Sequence, residues 1–135
     1  MSRIERFEDL DVWKLSRALA NAIYNASSVG NFARDFALRD QIRKASISVV
    51  SNIAEGFERD GDKEFIQFLY TAKGSCGEVR AQLYLAFDRA YLSEEQLSSL
   101  NQQAIEVSRM TSGLIKYLRH SQLTGKKYKV SASVK

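Results

Sequence analysis

The stretch FIQFLYTAKGSCGEVRAQLYLAFDRA, residues 65–90, decides the fold. Phe65, Leu69, Ala72, Cys76, Val79, Leu83, Ala86 and Ala90 recur at alternating steps of four and three. That spacing is a heptad seam, the signature of a long helix laid against another helix. The segment runs about 28 residues with its flanks, or about 40 Å at 1.5 Å per residue.

Working outward, the same spacing appears three more times. Towards the C-terminus, Leu97, Leu100, Ala104, Val107, Thr111, Leu114 and Leu118 form a seam. It opens on LSEEQL, where Ser93 and Gln96 have capping-box spacing and Leu92 and Leu97 bracket them as a hydrophobic staple. Towards the N-terminus, Leu38, Ile42, Ala45, Val49 and Ile53 predict a helix that ends near Phe57. Gly61 frees the following turn, and Asp62 is the expected N-cap of the long helix. The first helix reads Val12, Leu15, Leu19, Ile23 and Ala26, with Gly30 and Asn31 suited to its C-terminal cap. There is no proline, and no regular alternation marks a strand. Short loops between the later helices predict an all-α, antiparallel up-down-up-down four-helix bundle over residues 1–123.

The bulk numbers bound the function. A chain of 135 residues suits one domain and one core. No apolar run is long enough to span a bilayer, and the start MSRIERFEDLD lacks an apolar signal core. Cys76 is the sole cysteine, so no internal disulfide can form and a cytoplasmic setting is expected. The net charge of +4 resides in residues 124–135, where Lys126, Lys127, Lys129 and Lys135 meet no acid. That segment has no periodicity and is expected to be a mobile basic tail. Its GKKYK run combines lysines with a tyrosine able to stack on a base.

Arg39 and Arg43 lie one turn apart with Lys44 adjacent. They are candidates for phosphate contact, or for pairing with Asp40, Glu55 or Glu78. The second helix also carries a polar stripe, Gln41, Ser48, Asn52, Glu55 and Arg59. Thr71, Ser75, Glu78 and Gln82 form its counterpart on the third helix. Serine and asparagine are poor residues for a purely solvated helix face. The stripe is therefore read as a half-buried network, with Asn52 and Ser75 bonding to Glu55, Glu78 or an arginine, that sets register or a subunit contact.

A second apolar stripe on the third helix does not fit a lone protomer. Ile66, Tyr70, Gly77, Ala81, Tyr84, Phe87 and Tyr91 fall on a face that a bundle helix normally leaves to water. Gly74 and Gly77 each cost about 1 kcal/mol relative to alanine inside a helix, a cost that close approach of another helix would offset. Ile66, Tyr70, Gly74, Gly77, Tyr84 and Tyr91 are accordingly the expected oligomer contacts.

No catalytic constellation emerges. A di-metal bundle needs Glu-x-x-His pairs, and the one histidine is His120 at the end of the last helix. Cys76 occupies a seam position and reads as an inert thiol. KGSCGE lacks the order of a phosphate-binding loop. The expectation is a non-enzymatic protein with no cofactor, no metal and no membrane contact.

FEDLDVWKLS, QIRKASISVVSNIAEGFERD, EFIQFLYTAKGSCGEVRAQLYLA and YLSEEQ together resemble the bacterial four-helix-bundle proteins encoded within intervening sequences of 23S ribosomal RNA genes. NIAEG at 52–56 and the A-x-G-S-x-x-E pattern at 72–78 are the most specific parts. Ala33 stands where that family often has proline, and Lys44 where it often has arginine. The resemblance implies an antiparallel four-helix bundle. It also implies a homopentameric barrel, like the related accessory-variability proteins of diversity-generating retroelements, which bind nucleic acid and a reverse transcriptase. The expected partners are copies of the chain itself and RNA or a ribonucleoprotein; the alternative is a protein-interaction scaffold without nucleic acid.

Overall fold

A computed structural model describes residues 4–123; the basic segment with Lys126, Lys127 and Lys129 lies outside the described residues. Four α-helices follow in order: α1, Asp11–Ala26; α2, Phe36–Glu58; α3, Asp62–Asp88; and α4, Glu94–Leu123. Short 3-10 turns at Phe7–Asp9 and Phe32–Arg34 precede α1 and α2. No strand occurs among the described residues.

Each helix begins and ends for a local reason. In α1 the buried line is Val12, Ser16, Leu19 and Ile23, and Leu15 is 39% exposed. The predicted stripe holds at Val12, Leu19 and Ile23, and Ser16 takes the buried place expected of Leu15. Ser16 can go inside because its hydroxyl donates to the Trp13 carbonyl at 2.7 Å, which satisfies its own O–H. The end of α1 is built by Ser27 and Ser28, whose hydroxyls donate to the Ile23 and Tyr24 carbonyls. Gly30, with φ of 57°, shapes the turn beyond rather than capping the helix.

Asp35 caps α2 by accepting from the Leu38 N–H at 3.1 Å. Between α2 and α3 the N-cap is Gly61, with φ of 116°, and not Asp62, which is buried in the first turn of α3. The α3 seam from Phe65 to Ala86 is buried throughout. Ala90 is not its last member, because α3 stops before it. The Tyr91 N–H bonds to the Ala86 carbonyl and the Ala90 N–H to the Phe87 carbonyl, with Ala90 left-handed at φ of 62°. That is a Schellman stop with alanine where glycine is usual. The capping box of α4 is as read: the Ser93 N–H donates to Gln96 Oε1 at 2.8 Å and the Gln96 N–H to Ser93 Oγ at 3.1 Å.

One core runs between the helices, and α1 packs on α2 and α4, while α3 packs on α2 and α4. Across α2 and α3, Ser48 meets Ser75, Gly56 meets Phe68 and Phe57 meets Phe65 edge-on at 5.9 Å. Rising numbers on α2 thus face falling numbers on α3. Gly56 permits a close approach, since a methyl group there would stand 2.6 Å from Phe68 Cβ. Between α3 and α4, Cys76 Sγ donates to the Ala104 carbonyl at 3.6 Å and Arg80 Nε to Asn101 Oδ1 at 3.0 Å.

Candidate functional site

The polar stripe of α2 and α3 is half-buried at its centre and open at its ends. Ser48 and Ser75 share a hydrogen bond of 2.8 Å that ties the two helices. Asn52 Nδ2 donates to the Ser48 carbonyl at 2.8 Å and to Ser48 Oγ at 3.0 Å. The carboxylates are not part of this knot. Glu55 accepts from Arg59 at 2.9 Å and Glu78 accepts from Gln82 at 3.1 Å, each one turn along its own exposed helix face. The predicted bonds from Asn52 and Ser75 to Glu55, Glu78 or an arginine do not form. The serine and asparagine side chains are short and satisfy one another across the seam, which leaves the longer glutamates to water. The arrangement fixes the register of α2 on α3 and brings no acid, base and nucleophile together.

The outer face of α3 presents Tyr70, Gly74, Gly77, Ala81 and Tyr84, all exposed, at alternating steps of four and three. A methyl group at Gly74 or Gly77 would meet nothing within 4 Å. Nothing among the described residues of the protomer therefore requires either glycine. Of the residues read as contacts between copies, Ile66 packs into the protomer's own core. Tyr91 is half-buried, stacked on Phe32 at 5.3 Å with its hydroxyl donating to Asp35 at 2.9 Å. Tyr70 lies under the Arg119 guanidinium, which also donates to its hydroxyl.

Arg39 and Arg43 do not reach Glu55 or Glu78. Arg39 bonds to Asp40 and to the Ala33 carbonyl, each at 2.9 Å, and lies over the Phe36 ring. Arg43 donates to Ser27 Oγ at 2.8 Å and Ser28 Oγ at 3.0 Å and lies over Tyr24. Lys44 is exposed. Sequence reading missed these stacked cations. The local signals are Phe36 three residues before Arg39 and Trp13 four before Arg17; the Tyr24–Arg43, Phe68–Arg59 and Tyr70–Arg119 stacks join residues distant in the chain or on different helices.

Three titratable groups among the described residues are shifted. The Leu38 N–H and the Tyr91 hydroxyl hold the Asp35 carboxyl below its usual range, and accepting that bond pushes the Tyr91 phenol up. Burial raises the Cys76 thiol to about 11. A protonated, buried thiol is a poor nucleophile. A shallow groove on α4, lined by Glu106, Arg109, Met110, Ser112, Gly113 and Lys116, holds one surface ion pair, Glu106–Arg109. Among the described residues no three His, Cys, Asp or Glu side chains gather as a ligand set. No described helix is long and apolar enough to cross a membrane.

Comparison with known proteins places this geometry. A solved structure from Bacteroides thetaiotaomicron, described as a protein with unknown function from the S23 ribosomal protein family, is 26% identical. The similarity covers 78% of this chain and 95% of that one, with a TM-score of 0.73. No curated protein matches the chain. The family described as 23S rRNA-intervening sequence protein matches residues 8–113, nearly the whole helical body. The chain belongs to the 23S rRNA-intervening sequence protein family.

Proposed function

We propose that this chain is a non-enzymatic, up-down-up-down four-helix protein that assembles with copies of itself, as a pentameric barrel, and binds RNA or a ribonucleoprotein in the cytoplasm. The observation that carries the reading is the outer face of α3. Two glycines inside a 27-residue helix weaken it by about 1 kcal/mol each. Both stand over open space, flanked by exposed Tyr70 and Tyr84. A second helix backbone laid there would use the space the glycines leave. The opposed numbering across α2 and α3 supports the topology, and the pentamer follows the resemblance described above. RNA is the partner class because the family is associated with 23S rRNA genes and the terminal lysines carry the whole net charge.

Light scattering on the wild type and on Tyr84→Glu tests assembly. A multimer that falls to protomer mass in the variant is the expected result; a wild-type monomer, or an unchanged variant, refutes it. Fluorescence anisotropy with ribosomal RNA fragments across a salt series tests the partner. Deleting residues 124–135 should reduce the salt slope by roughly three units on single strands. The absence of low-salt binding would favour a scaffold for another protein, a reading to which the pairing of Arg59 with Glu55 and of Arg109 with Glu106 also lends support.

A further inference from the structure

Phe36, Arg39 and Arg43 lie at i, i+3 and i+7, on one face of the N-terminal half of α2. Phe36 is the most exposed large hydrophobic residue among those described, at 64%. The Arg39 guanidinium lies 4.8 Å from the Phe36 ring centroid, and that of Arg43 lies 4.5 Å from Tyr24, which is itself 38% exposed. Phe36 and Arg43 stand about 10 Å apart along the helix at 1.5 Å per residue.

The cations here are held mostly by neutral groups. Arg43 is positioned by two serine hydroxyls and a ring, none of which cancels its charge. Arg39 takes the Ala33 carbonyl as well as Asp40. The other nearby acid, Asp35, accepts from the Leu38 N–H and the Tyr91 hydroxyl. Arg34 and Lys44 add charge on the same segment, so residues 24–44 carry four cations against two acids. Guanidinium groups already fixed in place lose little freedom when they meet a phosphate. Exposed rings beside them offer faces on which bases stack whatever their sequence.

We propose that this arginine–aromatic ladder is a platform for single-stranded RNA, with bases on Phe36 and Tyr24 and phosphates on Arg34, Arg39, Arg43 and Lys44. It rests on the RNA reading above and names the strand form and the surface. An acidic peptide would use the cations and leave the rings idle, which separates the two occupants.

The test uses the full chain with a labelled oligouridine of about a dozen nucleotides, within the range of single-strand sites, and a duplex of equal length. The single strand should bind better than the duplex. Phe36→Leu keeps an apolar side chain on the exposed face but removes the aromatic plane, and it should weaken binding at least about fivefold, the loss of one base stack. Phe36→Trp should retain binding, and its fluorescence, measured above the Trp13 background, should be quenched on adding RNA. Polyglutamate should compete poorly. If Phe36→Leu binds like the wild type while deletion of 124–135 abolishes binding, the ladder is overturned and the RNA reading stands. Equal competition by polyglutamate, or a tryptophan that RNA does not quench, also overturns the ladder. No binding by the full chain at low salt overturns both.

Discussion

Replacing Gly56 with alanine adds one methyl group at a tight point between α2 and α3. That carbon would lie 2.6 Å from Phe68 Cβ and 3.0 Å from Phe65 Cδ1. The Phe65 ring can turn away. Phe68 Cβ cannot, because it is one bond from the α3 backbone, so the helices must part. Overpacking of this kind costs about 1–3 kcal/mol, and the better helix propensity of alanine returns about 1 kcal/mol. The rigid contact puts the clash in the upper part of that range, for a net loss of about 1–2 kcal/mol. Urea unfolding followed by circular dichroism should show a lower midpoint at an unchanged m-value. Thermal unfolding should shift down by roughly 3–10 °C. A Gly56→Ala midpoint at or above wild type would refute the close approach of α2 and α3.

Four other perturbations separate local from assembled effects. Gly77→Ala should raise protomer stability by about 1 kcal/mol, since its methyl group meets nothing, yet lower the mass seen by light scattering; an unchanged multimer would argue against backbone contact at that face. Ala90→Gly should raise the unfolding midpoint, by about 0.5–1 kcal/mol, by relieving the left-handed alanine. Asp35 has a lowered folded pKa, so its contribution to stability is present above the unfolded carboxylate value and is lost as pH falls through the folded one. Tyr91→Phe should therefore move the Asp35 titration, followed by carbon NMR, upward towards the ordinary range; no movement would remove the tyrosine from its causes. Cys76 should resist a thiol reagent at neutral pH until the protein unfolds, and its contribution to stability should fade as pH rises from about 9 towards 11; rapid labelling of the native chain would contradict its burial.

The long seams are legible because their positions are apolar save Thr111, whose hydroxyl donates to the Val107 carbonyl, and the phase is unambiguous, as with Leu69, Cys76 and Val79. The capping box was legible because it is a contact between neighbours in the chain. The Ser16 position of α1 is not legible, because Leu15 outranks Ser16 on any hydrophobic scale and only the bond to Trp13 makes Ser16 a core residue. Ala90 was taken into α3 because nothing in an alanine signals a left-handed stop. Of the polar stripe only Ser48, Asn52 and Ser75 join, because the wiring depends on side-chain length across a seam that a helical wheel does not measure. The arginine–aromatic stacks needed the tertiary fold, because Tyr24 and Arg43 meet only once α1 and α2 pack.

The position of α1 bears on the order in which the molecule can fold during synthesis. Its main partners are α2, which follows soon, and α4, which starts only at Glu94. The α2–α3 pair can zip as soon as both helices have left the ribosome, because its contacts fan out from the Gly61 turn. The α1–α4 seam must wait for α4, which is complete only at Leu123. Until then the apolar side of α1, Val12, Leu19 and Ile23, has nothing to cover half of it. Long-separated contacts form late and leave apolar surface uncovered meanwhile. A nascent chain stalled after α3 would thus expose α1 to whatever chaperone or neighbouring chain is at hand, and release of α4 would withdraw it.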